Sequence, residues 1–326
     1  MGRVAESEAS PSLALLKYWG KRSVGRNTPA TPSLAVALGG LTTRTRVTLR
    51  DVGGNGQPAD RVTLDGHEQP AERFAPFFDA VRRAVRRELY FAAESTNTFP
   101  TASGLASSSS GFAALAFACS AAAERTLSRA TLSEIARVGS ASAARAVYGG
   151  FTLLPAGGRR ARALYDESHW PQLRILVTVV RAAAKETGSR DAMELTRRTS
   201  PYYRSWVRAA GRALPDGLRA LARRDIEELG SAVRSSYLRM FATMFASQPP
   251  VFYWLPESVA VIRECEEMRK EGIGVWETMD AGPQVKLICL ADAAGAVRSR
   301  LKALLPSCDI IECAAGAAPT CRVVEE

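Results

Sequence analysis

The chain has 326 residues, 46% of them apolar, and 43 basic against 33 acidic side chains give a net charge of +10. That length exceeds a usual single domain and the apolar share fills a sizeable core, so one large two-lobed unit or two closely packed domains is expected. No charge-free apolar run reaches membrane-spanning length, and residues 1–8 lack the apolar centre and flanks of a signal peptide, which points to a cytoplasmic protein with no membrane partner.

Six cysteines (Cys119, Cys265, Cys289, Cys308, Cys313, Cys321) form no C-x-x-C pair, and His67 and His169 are the two histidines. This argues against a zinc site and reads the thiols as free and buried. The basic balance calls for an anionic partner: nucleic acid, a membrane surface or a phosphorylated metabolite. Arg82, Arg83, Arg86 and Arg87 have helical spacing, and no aromatic residues interleave with arginine to stack bases. They read as a solvated helix face, so no nucleic-acid partner is expected. A basic nucleic-acid-binding module is the alternative of a different class.

In chain order, the alternating Thr/Arg/Val run within 34–51 predicts a strand, and 61–64 a returning one. Residues 70–90 read as an amphipathic helix and 111–125 as an Ala-rich, buried one. A strand near 151–154 and an apolar run at 173–181 precede long helical stretches to about 271, with a tight basic turn at Gly157-Gly158-Arg159-Arg160. Strands near 274–279 and 286–290, a helix at 293–305, and strand-like ends at 309–312 and 321–324 close the chain. The class expected is α+β, with helices on one side of mostly antiparallel sheets.

The segment Phe99-Pro100-Thr101-Ala102-Ser103-Gly104-Leu105-Ala106-Ser107-Ser108-Ser109-Ser110-Gly111 runs straight into the buried helix. Glycines permit close backbone approach, serines add donors, and a helix start offers unpaired N–H groups and a positive dipole end. That combination suits a polyphosphate, and its spacing differs from both the Walker A loop and the dinucleotide G-x-G-x-x-G.

The loop resembles the nucleotide-binding loop of the galactokinase, homoserine kinase, mevalonate kinase and phosphomevalonate kinase (GHMP) superfamily, in the version carried by mevalonate diphosphate decarboxylases. Further segments agree in order and spacing: Leu15-Leu16-Lys17-Tyr18-Trp19-Gly20-Lys21-Arg22; 137–145 with Tyr148-Gly149-Gly150; Ser189-Arg190-Asp191-Ala192-Met193 with 199–203; Pro249-Pro250-Val251-Phe252-Tyr253; and Asp280-Ala281-Gly282-Pro283. The resemblance spans residues 12–286.

It implies a GHMP-kinase-like two-lobed fold, with an S5-like N-terminal lobe over 1–183 and a C-terminal α/β sandwich lobe over 184–326. It also implies the reaction: ATP phosphorylates the tertiary 3-hydroxyl of mevalonate 5-diphosphate, then phosphate and carbon dioxide leave together and isopentenyl diphosphate remains. Asp280 is the expected catalytic group facing the hydroxyl, and Arg145 the fork on the substrate carboxylate. Ser140, Ser142, Tyr18, Lys21, Arg190 and Met193 are expected to bind substrate. Ser103, Gly104, Leu105, Ala106, Ser107 and Ser108 are expected to bind ATP, with Mg²⁺ bridging phosphate oxygens, and a homodimer is implied by the family's habit.

Two departures bear on specificity. Ser12 stands where the family commonly has the longer asparagine, and Gln284 where asparagine is frequent. A monophosphate decarboxylase or a mevalonate 3-kinase of the same family are the nearest alternatives; retention of Arg145 and Asp280 favours the full reaction.

Overall fold

The computed structural model describes residues 3–22, 27–50, 59–99, 107–180 and 187–324. Alternating small and polar residues open it as a strand: in β1 (Val4–Ala9) Val4, Ala5, Ser7 and Ala9 are buried while Glu6 and Glu8 are half-buried. There follow β2 (Ser12–Ala14), β3 (Ser33–Ala37), β4 (Thr43–Arg50), β5 (Arg61–Leu64), β6 (His67–Glu68), α1 (Ala75–Val85), β7 (Tyr90–Asn97) and α2 (Ser107–Ala122). Next come α3 (Arg129–Gly139), α4 (Ala143–Ala146), β8 (Phe151–Leu154), β9 (Arg162–Tyr165), β10 (Leu173–Val179), α5 (Ser189–Thr199), α6 (Tyr203–Arg223) and α7 (Ile226–Phe245). The last are α8 (Pro256–Lys270), β11 (Val275–Met279), β12 (Val285–Leu290), α9 (Ala291–Leu304), β13 (Asp309–Cys313) and β14 (Thr320–Val324).

Three sheets result, ordered β14-β1-β4-β7-β5-β6, β2-β3-β8-β9 and β11-β12-β10-β13. Pairing is antiparallel except between β5 and β7. This is the mixed α+β class expected. Helix α2 lies on β1 and β4. Its small residues Ala113, Ala114 and Ala118 let it approach closely, and Phe112 joins Phe77, Phe78 and Phe91 in one core. A second core packs Tyr237, Phe241 and Met244 of α7 against Met279 and Val285, the residues flanking the β11–β12 turn.

Several sequence expectations need correction. The helix expected over 70–90 is a short 3-10 turn (Ala71–Arg73) followed by α1, which is closed by Arg86 at φ 56°, and 90–97 is a strand, with Phe91, Ala93 and Ser95 turned inward. Arg82 does not belong to a solvated face; it is largely buried, its Nη2 3.0 Å from Asp60. Cys321 is exposed, unlike the other five thiols. Strand pairing crosses residue 183 in both directions: β10 precedes it and pairs with β12 and β13, and β14 follows it and pairs with β1. Among the described residues no helix is long and apolar enough to cross a membrane.

Candidate active site

Asp280 directly follows β11, at the mouth of the turn that leads into β12. Its strand is locked from behind by Glu277, fully buried, which accepts hydrogen bonds from Arg234 Nε (2.6 Å), Arg269 Nη1 (2.7 Å) and the Tyr237 hydroxyl (2.9 Å). The ion cluster fixes α7 and α8 to β11, and so fixes the backbone that carries Asp280.

Two buried ammonium groups grip the Asp280 carboxylate: Lys17 Nζ at 2.8 Å from Oδ1 and Lys286 Nζ at 3.3 Å from Oδ2. Lys17 also donates to the Ala14 carbonyl at 2.8 Å, and its backbone N–H to Ser236 Oγ at 2.9 Å. Burial would raise the Asp280 carboxyl, but Lys17 and Lys286 outweigh it and hold it well below the usual carboxylate range. Burial pulls the Lys17 ammonium down to about 8, against the opposite pull of Asp280. The carboxylate is therefore ionised throughout the neutral range, and its side chain is still 27% exposed.

Arg145 on α4 is buried beside them. Its Nε donates to Ser12 Oγ at 3.2 Å and its Nη1 to Ser33 Oγ at 2.6 Å. Burial lowers its guanidinium to about 10, with Asp280 and Tyr18 near enough to pull the other way. It stays charged at neutral pH and touches no carboxylate among the described residues, an arrangement suited to an incoming anion.

A cavity of about 360 Å³ brings Tyr18, Lys21, Asn27, Arg73, Ser108, Ser140, Arg190 and Met193 together. Ser140 Oγ lies 3.0 Å from Ser142 Oγ and 3.4 Å from Ser108 Oγ, so the α3–α4 turn meets the first turn of α2. The Tyr18 hydroxyl is buried with no partner among the described residues, and burial holds the phenol protonated far above its usual range. Burial and then Arg190 lower Lys21 to about 8. Such donors without acceptors fit a strongly anionic ligand. A wider space of about 750 Å³ continues past Lys21, Arg73 and Arg190 to Arg83, Arg137 and Arg159. On the other side of Ser108 a small cavity of about 70 Å³ is lined by Val62, Leu64, Ser95, Ser107 and Leu115.

Of the residues expected from sequence, Tyr18, Lys21, Ser140, Arg190 and Met193 share one cavity with Ser108, and Ser107 lines the adjoining one. Asp280 and Arg145 converge beside Lys17, and Ser142 reaches the cavity through Ser140. Ser103, Gly104, Leu105 and Ala106 lie outside the described residues. Sequence reasoning missed Lys17, Lys286, Ser33 and Arg73. A lysine inside the apolar strand β12 was the available signal, since such an ammonium is buried only when paired. Gln284 is buried, and its Oε1 accepts the Val180 N–H at 2.7 Å.

Residues 9–165 match the family model described as the diphosphomevalonate decarboxylase-like N-terminal domain, and 175–325 that of the mevalonate 5-diphosphate decarboxylase C-terminal domain. The diphosphomevalonate decarboxylase of Eremothecium gossypii is 32% identical over 315 residues, covering 89% of this chain and 78% of that one. The human enzyme is 32% identical over 319 residues, 87% and 76% of the two chains. Among solved structures, mevalonate diphosphate decarboxylase from Staphylococcus aureus superposes with a TM-score of 0.89 at 33% identity over 99% of this chain and 98% of that one. A structure solved in complex with MVAPP, AMPPCP and magnesium reaches 0.90 at 30% identity, over 99% of both chains. With both halves of the chain matched in order by the family's two domain models, and with relatives 32% identical over most of its length, the chain belongs to the diphosphomevalonate decarboxylase family.

Proposed function

We propose that this chain carries out the ATP-dependent decarboxylation of mevalonate 5-diphosphate to isopentenyl diphosphate, the step its family performs in the mevalonate pathway. The observation that carries the reading is the Asp280 carboxylate, held ionised by Lys17 and Lys286 and near enough to the buried Arg145 guanidinium for each to act on the other's charge.

Hydroxide is a poor leaving group and phosphate a good one, so the alcohol is phosphorylated first. Asp280 accepts the hydrogen bond of the 3-hydroxyl and aims its oxygen at the γ-phosphorus. A carboxylate so stabilised is a weak base. It receives the proton as the O–P bond forms, when the alcohol has become acidic, in keeping with the loose transition state of phosphoryl transfer. In the second step the C–C bond to the carboxylate breaks and its electron pair becomes the new double bond. The C3–O bond breaks with its pair on the departing phosphate. Arg145 orients the carboxylate for that departure.

At the far end Tyr18, Lys21, Ser140, Arg190 and Arg73 receive the diphosphate, and this count of cations favours it over a monophosphate. Ser107, Ser108 and the α2 N-terminus receive the ATP phosphates. Among the described residues no cluster of three acidic, His or Cys groups would hold a metal unaided. Hydroxyls together with phosphate oxygens nevertheless form a donor set that fits a hard cation, and Mg²⁺ when bound neutralises developing phosphate charge. A cytoplasmic enzyme acting as a homodimer accords with this family membership, and light scattering on the purified chain tests the second point.

The test is turnover with Mg-ATP on mevalonate, its 5-phosphate and its 5-diphosphate. The highest kcat/KM is expected on the diphosphate; no turnover there would reject the reading.

A further inference from the structure

Ser12 stands where the resemblance leads one to expect asparagine, and it does something other than reach for substrate. Its hydroxyl accepts from Arg145 Nε at 3.2 Å, while its backbone N–H donates to Ser109 Oγ at 3.0 Å, on the first turn of α2. Ser33 takes Nη1 of the same guanidinium at 2.6 Å. All four residues are buried. Arg145 is thus held at two of its nitrogens, Nε and Nη1, by hydroxyls from adjacent strands, β2 and β3, and one of those strands is tied to the helix that begins at the nucleotide loop.

The chemistry gives this pinning a purpose. As carbon dioxide forms, the carboxylate loses its charge, so hydrogen bonds to it weaken on the way to the transition state and a stronger grip would slow the step. What accelerates it is direction: the C–C bond must stand in line with the departing C3–O bond so that its electron pair can displace phosphate. A buried arginine with no carboxylate partner swings unless something neutral holds it, and serine hydroxyls hold it without spending its charge.

We propose that Ser12, seconded by Ser33, is a positioning residue for the decarboxylation half of the reaction, registering the Arg145 fork against the helix on which the phosphoryl donor rests. This rests on the function proposed above and assigns residues within it. Ser12→Ala removes the Arg145 anchor but keeps the backbone N–H to Ser109, so the nucleotide side is spared.

Single-turnover quench measurements with Mg-ATP and mevalonate 5-diphosphate separate the steps. In the wild type, ADP and carbon dioxide appear together. In Ser12→Ala, ADP formation keeps its rate while carbon dioxide lags by about tenfold, with KM for both substrates unchanged. Ser33→Ala, at the other anchor, shows the same lag, and it carries the test if Ser12→Ala does not fold. Ser12→Thr, which keeps the hydroxyl, restores synchrony. Carbon dioxide and ADP remaining synchronous in the alanine variants, at the wild-type rate or slowed together, overturns the proposal. A wild type that forms neither product overturns instead the function on which it rests.

Discussion

A carboxylate taken from water loses several kcal/mol of solvation, and one ammonium at salt-bridge distance returns about 4 kcal/mol at an effective dielectric near 20. Asp280 has two, and so remains an anion where a lone buried aspartate would take up a proton. Asp280→Ala should lower kcat by about 10²–10⁴-fold with little change in KM for ATP, as steady-state kinetics will read; near-normal turnover removes Asp280 from its role. Arg145→Lys retains charge but loses both the planar fork offered to the substrate carboxylate and the two bonds to Ser12 and Ser33 that hold it, so kcat should fall roughly 10²-fold, and wild-type kinetics would contradict the clamp. Lys17 and Lys21 are both lowered to about 8 by burial, so raising the pH through that value removes two needed charges. The logarithm of kcat/KM should therefore fall with a slope near −2 above this pH, and Lys21→Arg, which stays protonated, should reduce the slope to about −1. Tyr18, Lys21, Arg145 and Asp280 were legible because they stand in distinctive words of sequence. Lys17 stands in the same word, yet its partner lies 263 positions away, and only folding brings that carboxylate to it.

Elements hold the site by close approach. Gly139 ends α3 at a point where an added Cβ would lie 2.2 Å from the Phe112 ring of α2, and Phe112 lines the cavities on both sides of Ser108. Gly139→Ala should force that ring toward the ligand space, costing about 1–3 kcal/mol of stability and raising KM for both substrates; calorimetry together with kinetics checks it. An unchanged KM would separate this contact from binding. The buried helix α2 was readable from its run of alanines. Strand β7 was not, because Glu94, Thr96 and Asn97 give it the look of a loop, and its inward side, Phe91, Ala93 and Ser95, alternates only once the neighbouring strand β4 is in place. Strand β1 was hidden for a related reason: Ala5, Ser7 and Ala9 are small because α2 presses on them, so they carry almost no hydrophobic signal.

Across the whole molecule, the two sequence halves are stitched rather than juxtaposed. The last strand returns to pair with the first, Val4 opposite Val324 and Glu8 opposite Thr320, and Glu6 binds Arg322 at 2.7 Å. A chain ended at residue 318 should lose this edge, lower its melting temperature and aggregate through the uncovered β1, visible by thermal scanning with light scattering. An unchanged melting temperature would make β14 ornamental. Such pairing between chain ends is what a sequence cannot announce, since 309–312 and 321–324 read alike as strand ends while joining different sheets. The same long-range closure sets Asp280, after β11, against Lys17, which precedes β3, and makes one site from both halves. The most direct test of that site is product stoichiometry. Purified chain with Mg-ATP and mevalonate 5-diphosphate should release ADP, phosphate and carbon dioxide in equal amounts. ADP formed without carbon dioxide, or neither product formed, would contradict the account.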